Sequence, residues 1–437
     1  MSERSAPGLP PDVSIYDRLR HSDAELSALL ASGRARRELT AMFGAAEYAL
    51  LAPLARRALQ APQRHAEPVY LLPGIMGTQL GAVRAGGAPV DLLWLDPQDV
   101  ISGALQRLRL PAVAPLLTLG AIPFSYLALQ LRLRIAGYRV LVHEYDWRAD
   151  LAQLAGQFAA RLRADAAPGI HVVAHSMGGL IARRALAAPG MQHVRRFITL
   201  GTPHGGSFGA VQALRGTYPV VRRLAALDRQ HDAEFLSGEV FNTFPSLHQM
   251  LPLHGRGGRG DLADADNWPR SGPRPDPQLL QAGRDFVAAL PPPDVRSIAI
   301  CGTHQRTVTA VELVADDFMY QVSDAGDGTV PLASAQLSGC DNYFVRCEHS
   351  ALPRSASVAR ALLELLRHGR TARLATAPGA HRGRPVQVSD RELRGTWSAK
   401  IDWLAMPPAA RREYLNRLNQ PPPQYAAPRQ RQRARRT

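Results

Sequence analysis

His171-Val172-Val173-Ala174-His175-Ser176-Met177-Gly178-Gly179-Leu180-Ile181-Ala182 is the stretch on which the reading of this chain turns. An apolar run meets a small-x-Ser-x-Gly turn, and a second apolar run at helical spacing follows. That is the context of a nucleophile elbow, in which a tight strand-to-helix turn lifts a serine above the edge of a sheet. The turn is strained and its backbone passes close to itself, so the flanking residues must be small. Ala174 stands where a glycine is usual, and is small enough to keep the turn. The N–H groups at the start of the following helix face a developing negative charge. His175 adjoins the serine but points the wrong way to act as its base, and reads as structural.

Working outward, short apolar runs alternate with amphipathic ones. Val69–Leu72, Arg139–Val142, Ile170–Ala174 and Arg196–Leu200 read as strands. Pro123–Ala136, Leu151–Arg163 and Gly178–Ala188 read as helices between them. This spacing implies an α/β architecture, a mainly parallel central sheet with helices on both faces. The alternation stops after Gly206. Residues 207–293 read as a cap inserted into the sheet domain, with a Gly/Arg/Asp/Pro-rich segment, Gly255 to Pro277, expected to be mobile. Strands return at Val295–Cys301 and Asn342–Arg346, and Leu362–Leu366 lies on a last core helix. The expected organisation is therefore a helical extension over 1–66, with a capping box at Ser22 and Glu25. A main domain over 67–369 follows, then a basic extension over 370–420, and a disordered tail over 421–437.

The net charge of +15 is unevenly placed. Residues 370–437 hold 15 basic and 4 acidic side chains, leaving 37 basic and 33 acidic to the rest. A near-neutral body argues against a protein whose whole surface binds nucleic acid. The Arg-rich end reads as a solvated tail, with attraction to an anionic membrane as the functional alternative and nucleic acid behind it. Cys301, Cys340 and Cys347 have neither zinc nor disulfide-framework spacing, and nucleophilic chemistry at a serine elbow requires no metal and no cofactor. The N-terminus lacks a signal-peptide core, which points to the cytoplasm, with peripheral membrane contact and export without a cleaved signal left open. Leu110 to Leu131 is free of charge over a length that could span a bilayer, but Pro111, Pro115 and Pro123 argue for a buried loop leading into a helix.

Serine is a poor nucleophile at neutral pH and needs a base and an orienting acid, which in this elbow context follow in the order Ser, Asp or Glu, His. Asp327, between two glycines in Ala325-Gly326-Asp327-Gly328-Thr329, is the first choice for the acid and Asp324 the second. His349, after the strand-like Tyr343–Cys347, is the candidate base; His304 precedes Asp327 and breaks the order. The oxyanion donors are expected to be the N–H of Met177 and that of Ile75 in Leu72-Pro73-Gly74-Ile75-Met76-Gly77-Thr78, with Met76 as the alternative.

Taken together, Leu72–Leu80, Tyr145-Asp146-Trp147-Arg148, the Ser176 elbow, Leu200-Gly201-Thr202-Pro203-His204-Gly205-Gly206-Ser207, Phe244–Leu247, Gly326–Val330 and His349 resemble, in order, the lecithin:cholesterol acyltransferase and lysosomal phospholipase family. The resemblance implies an α/β-hydrolase fold, a Ser176–Asp327–His349 triad and an acyl-enzyme on Ser176. The implied substrates are phospholipids or other fatty-acyl esters, with water or an alcohol as acceptor. The chain departs from the animal enzymes in its short region after Leu80, where Trp94 reads as a lid remnant, and in His204 where they carry tryptophan. Phe241, Phe244, Leu247, Met250 and Leu251 read either as acyl-channel lining or as plain cap core. The competing class is a basic lipid- or nucleic-acid-binding protein on a catalytically inactive hydrolase scaffold.

Overall fold

A computed structural model describes residues 22–65, 67–83, 90–253, 260–381, 383–395 and 399–426. Three helices open it: α1 (Asp23–Ser32), α2 (Arg36–Phe43) and α3 (Ala45–Gln60). Ser22 and Glu25 close the expected capping box on α1, and Gly33 ends it in a left-handed conformation. The chain then enters β1 (Val69–Leu72), β2 (Thr78–Ala82), β3 (Asp91–Trp94), β4 (Leu117–Ala121), α4 (Pro123–Ile135), β5 (Val140–Val142), α5 (Leu151–Ala164), β6 (Ile170–His175), α6 (Met177–Ala185) and β7 (Val194–Leu200).

The central sheet has the strand order β11-β8-β7-β6-β1-β5, with β8 (Ser297–Thr303) and β11 (Asp341–Arg346) supplied by the C-terminal half. Every pairing in it is parallel. Side chains alternate between two cores. Tyr70, Leu72, Val172 and Ala174 face one, and Val69, Leu71 and Val173 face the other. Both faces are buried, which is why these strands read as unbroken apolar runs. From β1 the chain crosses outward to β5; from β6 it crosses the opposite way, to β7 and β8. The reversal leaves a crevice at the carboxyl ends of β1 and β6, where ligands bind in open α/β sheets. The strand order, this reversal and the elbow after β6 make it an α/β-hydrolase fold.

The charge-free run before Leu131 does enter the expected helix at Pro123, but its first part is not a buried loop, since residues 111–115 are mostly exposed. It contains β4, which pairs antiparallel with β2 beside β3, and most of α4. Tyr126, Leu129 and Leu133 of α4 pack toward the sheet, while Leu127, Ala128 and Leu131 pack against α1–α3. With both sides covered, charge enters α4 only in its last turn, at Arg132 and Arg134. Among the described residues no helix is long and apolar enough to cross a membrane.

The described residues between 207 and 293 form a layer of short helices, including α7 (Phe208–Leu214), α8 (Pro219–Leu227) and α9 (Pro277–Ala288). The segment from Gly255, expected to be mobile, is anchored from residue 260 onward. Trp268 is buried and donates from Nε1 to the Leu262 carbonyl, and Asp261 pairs with Arg284 at 2.6 Å. Residues 254–259 lie outside the described residues. A second three-stranded sheet, in the order β12-β10-β9, was not expected: β9 (Thr307–Val314) and β10 (Asp317–Ser323) form a hairpin inserted after β8, and β12 (Val386–Ser389) pairs with β10. The core helix α10 (Ala356–His368) precedes β12.

The C-terminal extension is woven into the cap. Asp390, fully buried, accepts from Arg215 Nε and Nη2, Tyr320 Oη, Thr217 Oγ1 and Arg394 Nη2. Lys400 donates to the carbonyls of Ala225, Asp228 and His231 at the C-terminal end of α8, where a cation meets the negative end of the helix dipole. Helix α11 (Pro408–Asn416) follows, and Tyr414 Oη bonds the Arg223 carbonyl. The expected disorder does not begin at residue 421: Tyr425 is buried, and its hydroxyl pairs with the Gln212 amide. Residues 427–437, with the terminal arginines, lie outside the described residues, as does Trp397.

Asp390→Ala removes one side of a buried ionic network and strands Arg215. The expected loss is about 3–5 kcal/mol, read as a lowered urea midpoint; an unchanged midpoint would mean that the network contributes nothing.

Candidate active site

Ser176 follows β6 at φ 54° and ψ −129°, outside the regions open to a residue with a Cβ except under constraint. Its N–H is tied to the Leu200 carbonyl at 2.9 Å, which links the elbow to the end of β7. The loop after β1 passes directly over it: a Cβ on Gly74 would lie 2.8 Å from the Ser176 Cβ. Glycine at 74 is therefore a requirement of close approach.

Three separated side chains meet here. His349 Nε2 lies 2.9 Å from Ser176 Oγ, and His349 Nδ1 lies 2.7 Å from Asp327 Oδ2. The carboxylate can only accept, so Nδ1 carries the ring proton and Nε2 accepts from the serine hydroxyl. Asp327 Oδ1 takes the N–H groups of Thr329 and Val330 at 3.0 and 2.7 Å, and its backbone carbonyl takes the His349 N–H at 2.8 Å. All three side chains are buried. Asp327 reaches the site because the β9–β10 hairpin returns the chain to the end of β8, where Gln305 and Asp327 form an isolated bridge. Asp324 is not part of this group; it accepts the Gly383 N–H at 2.9 Å. His304 pairs with Thr303 Oγ1 and lies against the His381 ring.

Carbonyls of the loop over Ser176 and of the start of β2 are paired both from outside and within the loop. Tyr145 Oη donates to the Pro73 carbonyl, Trp94 Nε1 to Met76 at 2.9 Å, Trp147 Nε1 to Thr78 at 3.0 Å, and the Gly77 N–H to Gly74 at 3.0 Å. Trp94, read above as a lid remnant, is a buried residue of β3 that lines the cavity and whose ring packs edge-on to Trp147. Ile75 and Met76 of this loop line the cavity over Ser176, and Met177 opens α6. Arg148 braces the same region through Asp146 and the Leu108 carbonyl. Ser207 ties the cap to the acid's turn, donating to the Thr329 carbonyl at 2.7 Å.

Tyr126 was not anticipated, and nothing in its surroundings in the sequence marks it. Its hydroxyl accepts the Gly74 N–H at 2.8 Å and lies 2.9 Å from His175 Nδ1; His175 Nε2 lies 3.0 Å from the His349 carbonyl. A carbonyl only accepts, so His175 carries its proton on Nε2 and receives one hydrogen bond from Tyr126. The relay joins the loop over the serine to the backbone of His349. It needs neutral His175, and burial lowers that imidazole's pKa to about 3.

The cavity over Ser176 has a volume of about 540 Å³. Ile75, Trp94, Phe124, Leu247 and Met250 line it together with Leu415 and Leu418 from the C-terminal extension. Of the cap's apolar set, Leu247 and Met250 reach the cavity, whereas Phe241 and Phe244 pack within the core. Among the described residues no group of histidine, cysteine and carboxylate side chains could hold a metal ion.

Burial also holds the imidazoles of His143, His171 and His248 down to about 4 and that of His204 to about 3. These groups are neutral when folded but titrate near 6.5 when exposed. Below that value the unfolded chain binds more protons, so their stabilising contribution is complete above pH 6.5 and is lost as pH falls toward 4 and 3. Thermal melts across pH 7.5 to 4 are expected to show a steadily falling Tm; a flat profile would contradict the buried neutral state.

Residues 144–245 match the family model of palmitoyl protein thioesterases, a stretch that includes Tyr145–Arg148, the elbow and Leu200–Ser207. No curated protein matches the chain. Similar solved structures include the mature form of the Bacillus licheniformis lipase BlEst2, 13% identical, with 71% of this chain and 95% of that one covered and a TM-score of 0.36. A Tle4–Tli4 complex is 16% identical over 68% and 97% of the two chains, with a TM-score of 0.40. Lipase 1 from Pelosinus fermentans is 12% identical over 70% and 99%, with a TM-score of 0.33.

Proposed function

We propose that this chain is a serine-dependent acyl-ester hydrolase or acyltransferase that forms an acyl-enzyme on Ser176. The observation that carries this reading is the hydrogen-bonded series Ser176–His349–Asp327 at the floor of an apolar cavity. In the first step His349 Nε2 takes the hydroxyl proton as Ser176 Oγ attacks the ester carbonyl carbon. Asp327 keeps the Nδ1 proton and stabilises the imidazolium. The N–H groups of Met177 and of Ile75, or Met76 in its place, receive the oxyanion; losing one such donor costs about 2.7–4 kcal/mol in barrier. Collapse expels the alcohol, which takes the proton from His349. In the second step His349 removes a proton from water or an acceptor alcohol as that oxygen attacks the acyl-enzyme, and Ser176 leaves reprotonated.

The apolar lining supports fatty-acyl esters, including phospholipids, as the substrate class. The motif order supports a relationship to the lecithin:cholesterol acyltransferase and lysosomal phospholipase family. A thioester substrate is the second reading, favoured by the thioesterase model that matches residues 144–245; the same acyl-enzyme serves it, with a thiol as leaving group.

An alkyl fluorophosphonate is expected to label the wild type and not Ser176→Ala. Failure to label folded wild-type protein would favour an inactive scaffold. Asp327→Asn, which preserves shape but disturbs the imidazole tautomer, is expected to lower kcat by up to about 10⁴. Incubating liposomes with and without an acceptor alcohol, and resolving free fatty acid from new ester, separates hydrolysis from transfer.

A further inference from the structure

The cavity over Ser176 carries a charge pattern that acyl transfer itself does not require. Among the described residues its lining includes three arginines, Arg354, Arg411 and Arg412, and no aspartate or glutamate. Arg354 lies between the His349 turn and α10, and the other two stand on α11 of the C-terminal extension.

The guanidinium groups on α11 are pinned by neutral partners. Arg411 donates from Nε to the Trp403 carbonyl and from Nη2 to the Leu404 carbonyl, both at 2.8 Å, and lies over the Trp403 ring. Arg412 donates from Nη1 to the carbonyls of Thr40 and Ala41 on α2. Carbonyl partners orient a guanidinium without cancelling its charge, and arginine stays protonated at any ordinary pH. The nearest acid in sequence, Glu413, pairs with Arg417 instead. Arg354 meets Glu47 at 3.3 Å, a pair with the arginine side chain 42% exposed and so weak in water. Docking of the extension does not need these charges, since Lys400, Tyr414 and Asp390 already fasten it.

Resting on the acyl-ester reading above, we propose that Arg354, Arg411 and Arg412 form an anion-binding rim. The ester turned over at Ser176 then carries a phosphate-type anion on its alcohol or thiol side, with the acyl chain against the apolar wall. Preoriented guanidinium forks suit phosphate oxygens, and each charge-assisted bond is stronger than a neutral one.

The test uses the full chain in mixed micelles of a neutral detergent, with matched acyl chains on three substrates: phosphatidylglycerol, diacylglycerol and an acyl-coenzyme A. The wild type is expected to favour at least one phosphate-bearing substrate over diacylglycerol by about tenfold or more in kcat/KM, mainly through KM, and added salt is expected to narrow the ratio. Preference for phosphatidylglycerol identifies a lipid headgroup, and preference for the coenzyme A ester a soluble carrier; either supports the rim. In Arg411→Gln/Arg412→Gln the ratio is expected to collapse toward one, and the corresponding double lysine variant to recover part of it. Arg354→Gln, outside the extension, is expected to lower the ratio on its own, and decides the matter if the double variant no longer takes a neutral alkyl fluorophosphonate. A labelled wild type that turns over all three substrates equally, or an Arg354→Gln protein with an unchanged ratio, overturns the rim. A folded wild type that neither labels nor turns over any ester overturns the acyl-ester reading itself.

Discussion

Ser176 occupies a backbone conformation that costs an ordinary residue about 1–3 kcal/mol, and it persists only because its surroundings leave no alternative. Its N–H is committed to Leu200, so the elbow cannot relax without disturbing β7. Gly74 closes it from above. The parallel register of β1 with β6, Leu72 opposite Ala174, delivers both loops to the same edge. Position is thus determined by the sheet, and orientation by the strained turn.

The loop over the serine extends this logic. Buried backbone carbonyls need partners, and those of Pro73, Thr78 and Met76 are taken by Tyr145, Trp147 and Trp94. This gives Tyr145-Asp146-Trp147-Arg148 a physical reason to accompany Leu72–Thr78: one segment is the scaffold of the other. The Tyr126–His175 relay closes the circuit on the opposite side, so that the loop and the backbone of His349 share one network. A histidine next to the serine reads as structural; which groups it joins depends on α4, far off in sequence.

Features governed by local spacing could be read directly. β1 and β6 are apolar runs ending at Pro-Gly and at the small-residue turn, and both are buried on two faces. The order of Ser176, Asp327 and His349 along the chain could be read in the same way. The β9–β10 hairpin could not: Thr307–Val314 mixes exposed and buried positions, and β10 pairs on its other side with β12, from a distant part of the chain. The N-terminal extension was legible as helices through its Ser22–Glu25 capping box, but not the face of α4 that it covers. The docking of the C-terminal extension was not legible, because its scattered apolar residues complete a surface made by other parts of the chain. Leu415 and Leu418 become cavity wall only once Asp390 and Lys400 have fastened the chain that carries them.

Lys400 gives that fastening a chemical address. It is the only lysine in the sequence, and its ammonium donates to three backbone carbonyls at the end of α8. A side-chain amine so engaged is a poor nucleophile, whereas a released one is an ordinary one. Acylating or reductively alkylating reagents therefore find a single lysine whose reactivity follows the attachment of the C-terminal extension to the cap. Among side-chain amines the fold thus has one covalent reporter for whether the last wall of its cavity is in place.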